Sequence, residues 1–114
     1  MLVLSNNPRV ISAYSCVESV EGTAIQVLEA AQRYIYTGYT LYGHPLAGNA
    51  RLCRNPYRSV ALEEGHNEIC VRSVLWIEDA LDRLSRGEFD TDSSKSDDYS
   101  LIDFDLFLSM IHIH

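Results

Sequence analysis

The sequence predicts an α/β domain: a small, mainly parallel four-stranded sheet, in the order 2-1-3-4, flanked by helices. Three observations predict it. Short β-favouring apolar runs alternate along the chain with segments whose apolar residues recur at the helical period. The helical segments carry capping and terminating residues where their periodicity begins and ends. The 114 residues, 46% of them hydrophobic, suffice for one core and leave little room for a second domain.

Leu2-Val-Leu4 is a compact apolar strand that stops at Asn6-Asn7-Pro8. There Asn can cap a short helix, Pro fits its first turn, and Val10, Ile11 and Tyr14 face inward. Residues 16–21 alternate polar and apolar around Val17 and Val20 and form a second strand.

Gly22-Thr23 opens the clearest helix, with Thr23 and Gln26 as a capping box. Ala24, Val27, Leu28, Ala31, Tyr34 and Ile35 share one face, and Gly38 terminates it. Tyr39 to Gly43 is the third strand and Arg58 to Leu62 the fourth. The connection over 45–57 is longer than the usual ~4–6 residues and contains residues that favour irregular backbone. Asn67 caps a long helix carrying Cys70, Val74, Ile77, Leu81 and Leu84 inward, closed by Arg83, Arg86 and Gly87.

Residues 1–87 thus form the core of a single domain. Residues 88–98 are polar, charged and low in complexity, which is the composition of a flexible linker. Residues 99–114 are too apolar to stay solvated. Ser100 with Asp103 resembles a capping box and favours a helix, while Ile102-Phe104-Leu106 also fits a strand. An exposed patch of this size is rare in a monomer, so the segment is expected to pack on its own sheet or across a homodimer interface.

The net charge is −7, and the interval Glu88–Asp105 holds −6 of it, from seven acids against Lys95. No basic stripe exists, which argues against nucleic-acid binding. No apolar run approaches the ~20 residues of a membrane span, and Met1–Ser5 has no basic leader, so a cytoplasmic location is expected. Cys16, Cys53 and Cys70 are odd in number and scattered, as in reduced thiols and not a disulfide framework. Cys70 belongs to the core, and Cys53, in the loop, is the one to test for reactivity.

Walker, GxGxxG, GxSxG and HExxH signatures are missing, and no cofactor is expected. Glu63-Glu64 would point to opposite faces of a strand and reads as a solvated strand end. His112 and His114 share a face only if that end is a strand, and no third ligand is evident, so no metal site is expected. In a parallel α/β sheet ligands lie beyond the carboxyl ends of the strands. His44 ends the third strand there, where it could act as a base or selector or simply anchor the loop. Arg51, Arg54 and Arg58 suit a small anionic ligand, or equally the protein's own acidic segment. A buried Arg58 bonded to carbonyls would instead be structural.

Three stretches in register, Leu4-Ser-Asn-Asn-Pro8, Tyr42-Gly-His-Pro-Leu-Ala-Gly48 and Asn55-Pro-Tyr-Arg-Ser-Val60, resemble the GrdX family. These are small proteins encoded with the glycine, sarcosine and betaine reductase systems of anaerobic bacteria. The resemblance covers about residues 1–85. The acidic linker and apolar end lie outside it, Tyr36 and Tyr39 stand where the family tends to have histidines, and the loop Asn49–Asn55 differs. Its motif residues are Asn6, Asn7 and Pro8, then His44, Pro45, Leu46 and Gly48, then Pro56, Tyr57, Arg58 and Ser59.

The resemblance implies a cytoplasmic accessory protein alongside amino-acid reductase components, and not the reductase itself, for which the chain lacks paired redox cysteines. The candidate ligand site is Asn6, Asn7, His44, Asn55, Tyr57 and Arg58, with Pro8, Pro45, Gly48 and Pro56 from the same motifs. Two rivals stand beside it. One is a small enzyme with His44 as base and Arg58 as anion anchor; the other is a structural adaptor holding a partner through its apolar end.

Overall fold

Strands β1 (Leu2–Ser5), β2 (Val17–Ser19), β3 (Thr40–Leu41) and β4 (Ser59–Glu63) form one sheet in the computed structural model, which describes residues 1–46, 54–65 and 68–113. Helices α1 (Pro8–Ala13), α2 (Ala24–Ile35), α3 (Val71–Ser85) and α4 (Ser96–Ile113) cover it. Among the described residues no helix is long and apolar enough to cross a membrane.

The strand order is β2-β1-β4-β3, not 2-1-3-4, and the sheet is mixed. Only the β1–β2 pairing is parallel; β1 with β4 and β3 with β4 are antiparallel. Parallel neighbours need a crossover that carries the chain back to the edge where the previous strand began. The connection from β3 instead delivers β4 from the edge where β3 ends. Apolar β4, with Val60, Ala61 and Leu62 all buried, takes a central place and leaves two-residue β3 at the margin.

Strand alternation sorts the core into two layers. Leu4, Val60 and Leu62 face α2 and α3, where Val27, Leu28, Ile35, Ile77 and Leu84 complete the larger cluster. Val3 and Ala61 face the other way, against Val10 of α1 and Phe107 of α4. In register beyond them are Ser5 and Ser59, two small polar residues on the same face.

Local signals explain most helix ends. Asn7 caps α1, its Oδ1 accepting from Arg9 N at 3.0 Å, with Pro8 in the first turn. Thr23 caps α2 through Ile25 N, and Gln26 Oε1 accepts from Thr23 N at 2.8 Å. Gly38 follows α2 with φ 110°, a left-handed conformation that costs glycine little. Helix α3 departs from expectation. Its cap residue is Cys70, half-buried and outside the helix, so Cys70 is not one of its core positions. Asn67 lies outside the described residues.

Helix α4 starts at Ser96, after a 3-10 turn over Ser93–Lys95 that Asp92 caps through Ser94 N. Ser100 and Asp103 therefore sit inside the helix and form no capping box: the Ser100 hydroxyl donates back to Asp97 O at 2.9 Å. The helix lies on its own sheet, with Phe107 buried against Val3, Val10 and Ala61.

Candidate functional site

Reversing β4 decides which motifs meet. The carboxyl ends of β1 and β3 and the amino end of β4 now share one edge of the sheet. Asn6, His44 and Arg58 come to that edge together, whereas a parallel β4 would have sent Arg58 to the far side. Glu63 and Glu64 leave by that opposite edge, where Glu63 accepts from the Tyr42 hydroxyl at 3.3 Å.

Asn6 ties three segments together. Its Nδ2 donates to Gly22 O and Pro56 O, both at 2.9 Å, and its Oδ1 accepts from Arg58 N at 2.9 Å. Fully buried Asn55 does similar work: Oδ1 accepts from Tyr57 N, and Nδ2 donates to Tyr99 O, each at 2.9 Å. The Tyr57 hydroxyl reaches Ser96 Oγ at 2.7 Å. Two of these links run to the beginning of α4.

The residue that joins the two halves is Asp103, which sequence reasoning placed in a cap. It is 3% exposed and points at the sheet. Asp103 Oδ2 accepts from Asn7 Nδ2 at 2.9 Å and Ser59 Oγ at 2.8 Å, and Oδ1 accepts from Ser59 N at 3.1 Å. Asn7 Nδ2 also donates to Ser100 O at 2.8 Å. Asn7 N donates to Ser5 Oγ, and Ser5 Oγ lies 2.7 Å from Ser59 Oγ, so the bonds close a ring. Burial pushes the Asp103 carboxyl above the usual carboxylate range, while its bonds to Asn7 and Ser59 and the nearby Arg58 charge oppose that. A clue was present in Ser5 and Ser59: two hydroxyls on an inner strand face call for a buried polar partner.

His44 is held at both ring nitrogens. Nδ1 accepts from Leu46 N at 3.0 Å, so the proton sits on Nε2, which donates to Asp79 Oδ2 at 2.8 Å. Arg83, one turn along α3, adds a 3.1 Å contact to the same carboxylate oxygen. The bond from His44, and then the Arg83 charge, hold the Asp79 carboxyl below its ordinary value. No ring lone pair is left for a substrate proton in this arrangement.

Arg58 is 3% exposed, and its Nη1 donates to Pro45 O at 3.5 Å, the buried, carbonyl-bonded state of a structural arginine and not of an anion anchor or a partner of the acidic segment. Beside it is a pocket of about 90 Å³, lined by His44, Pro45, Arg58, Ser59 and Asp103 on one side and by Val60, Leu106, Phe107 and Met110 on the other. The three-arginine cluster is not seen among the described residues: Arg51 lies outside them and Arg54 is exposed, with its carbonyl accepting from Asp90 N. Gly48 and Cys53 also lie outside them. Among the described residues no group of His, Cys, Asp and Glu could hold a metal. His112 is on α4, and His114 lies outside the described residues.

The structure therefore joins Asn6 to Arg58 and Pro56 and Asn55 to Tyr57 by direct bonds, ties Asn7 to Asp103 and Ser100 instead, and brings only His44, Pro45 and Arg58 of the predicted set to the small pocket. Pro8 is exposed at the start of α1.

No curated protein and no solved structure matches the chain. The family model described as GrdX-like protein matches residues 2–112, running well past residue 85 through the acidic segment and nearly to the end of α4. With all three motifs and the residues that bind them inside that span, the chain belongs to the GrdX-like protein family.

Proposed function

We propose that this chain is a non-catalytic accessory protein of glycine, sarcosine and betaine reductase systems, with the pocket beside His44 and Arg58 as its place for a small ligand. Family membership supports the setting. The observation that carries the non-catalytic reading is the saturation of the motif side chains. Asn6, Asn7, Asn55 and both nitrogens of His44 are engaged inside the protein, in the manner of a frame and not of a reacting centre. The pocket, at about 90 Å³, suits only a compact molecule, with its polar end toward the wall of His44, Pro45, Arg58 and Asp103 and its apolar end toward Phe107 and Met110.

Titration with formate, acetate and phosphate, followed by amide NMR shifts, tests the ligand. Shifts at Gly43, Val60 and Met110 that vanish in His44→Ala support it. Silence at tens of millimolar (about 20 mM, a Kd weaker than roughly −2.3 kcal/mol) leaves the frame as the sole role. The accessory reading is tested separately, by reductase activity in a host strain lacking the gene. Unchanged activity overturns it. Turnover of a small acid by the pure protein, lost in His44→Ala, would establish the enzyme reading instead.

A further inference from the structure

Helix α4 is apolar on two sides. Phe107 is buried on the sheet, with Phe104, Met110 and Ile111 packed beside it. Yet Leu101, Ile102 and Leu106 are 45%, 44% and 37% exposed on the remaining surface. A helix that rests on one layer normally divides into an apolar and a polar stripe, and this one does not. Beside it, a cleft of about 450 Å³ runs between α1 and α4, lined by Arg9, Ser12, Ala13, Leu101, Phe104 and Asp105.

The charge around this surface is mostly negative, with Arg9 of the cleft already paired to Asp97. Asp98 and Asp105 are exposed among the apolar residues, and exposed Asp97 has one partner, Arg9 at 2.6 Å. At helical spacing Asp98, Ile102 and Asp105 follow one another along the outward line, with Leu101 and Leu106 to either side. A second copy docked here would bring like carboxylates together, and an anionic lipid surface or nucleic acid would be repelled. A cationic partner with an apolar stripe satisfies both features at once.

We infer that the outer face of α4 and its cleft with α1 form a docking surface for a basic amphipathic helix of a partner protein. Its apolar anchors would lie on Leu101, Ile102 and Leu106, and its flanking Lys or Arg would meet Asp98 and Asp105, a helix-in-groove mode. Leu106 also lines the apolar wall of the small pocket, whereas Leu101, Ile102, Asp98 and Asp105 do not, so effects at those four residues are independent of the ligand proposed there.

The test uses the full chain and three synthetic peptides. The first is a helical peptide with leucines at i, i+3, i+4 and i+7 and lysines beside them. The second replaces the lysines by glutamate, and the third scrambles the first so that no stripe remains. The first should shift the amides of Leu101, Ile102, Asp105 and Ala13 and bind more weakly as salt rises. Leu101→Ser with Ile102→Ser, and separately Asp98→Lys with Asp105→Lys, should each weaken it by at least about tenfold, the cost of losing one buried anchor or one charge match. Equal binding of the scrambled or acidic peptide overturns the inference. So do shifts centred on the other exposed apolar set, Ile69, Val71 and Leu75 of the α3 end, absence of binding at millimolar peptide, or self-association of the free chain that Ile102→Ser abolishes.

Discussion

Asn7 and Asp103 lie 96 positions apart in the chain and meet at 2.9 Å, Nδ2 donating to Oδ2. That bond fastens the last helix to the turn after the first strand. Both residues also reach the Ser5–Ser59 pair, so the turn, the two central strands and α4 share one polar ring.

Removing the carboxylate should loosen α4. Asp103→Ala leaves Ser59 N, Ser59 Oγ and one hydrogen of Asn7 Nδ2 buried without an acceptor. Each orphaned donor costs about 1–3 kcal/mol, less what water recovers, so a loss of about 3 kcal/mol is expected. Asp103→Asn keeps one acceptor oxygen and should lose less. Urea unfolding measures both, and hydrogen exchange should place the loosening in α4 first. Two variants as stable as the parent would show that the ring does not hold the helix.

The same carboxyl gives a pH dependence whose sign is unusual for an aspartate. Its folded pKa is raised above the ordinary 3.8, so the folded state holds the proton more tightly than the unfolded. Stability from this group is fully present below 3.8 and is lost as pH rises through the folded value. Asp79, lowered by His44, acts oppositely: its contribution is present above 3.8 and lost as pH falls through its folded value. The difference between the unfolding free energies of the parent and Asp103→Asn should therefore shift against the parent as pH rises from 3.8. A carboxyl 13C titration of Asp103 with a midpoint at or below 3.8 contradicts this.

How far the sequence reaches is clear from particular residues. Asn7, Pro8, Thr23, Gln26 and Gly38 act through backbone groups a few positions away, so their roles were legible locally. The direction of β4 was not, because a strand pattern carries no sign and the connection from β3 is long. The motif residues can be named from the sequence, but a parallel sheet would put Arg58 at the opposite edge from Asn6 and His44. Asp103 was missed because its partners, Asn7 and Ser59, are 96 and 44 positions away. His44 could be named from its place before Pro45, but its partner Asp79 comes from the far helix α3.

Gly65 is required by an approach of two backbones. A Cβ built there would lie 1.7 Å from Gly38 O, on a segment that cannot swing aside like a side chain. Gly65→Ala should force the turn after β4 away from the end of α2, at a cost of about 2 kcal/mol, as for other overpacked sites. Thermal unfolding checks it. A variant with unchanged Tm would mean that the two turns part freely.

The state of His44 bears directly on whether this edge can do acid–base chemistry. Leu46 N–H can bond Nδ1 only if that nitrogen carries no proton, and Nε2 must then be the donor to Asp79. Long-range 1H–15N correlation should report the Nε2–H tautomer. In Asp79→Leu the Nε2 proton loses its acceptor, Arg83 loses its carboxylate, and the ring should sample both tautomers. The amides of Gly43 and Leu46 should shift with it, since the ring is what holds that turn. An Nδ1–H tautomer in the parent protein would leave Nε2 as a bare lone pair beside the pocket. That result would remove the main support for a non-catalytic role and make His44 the base to test first.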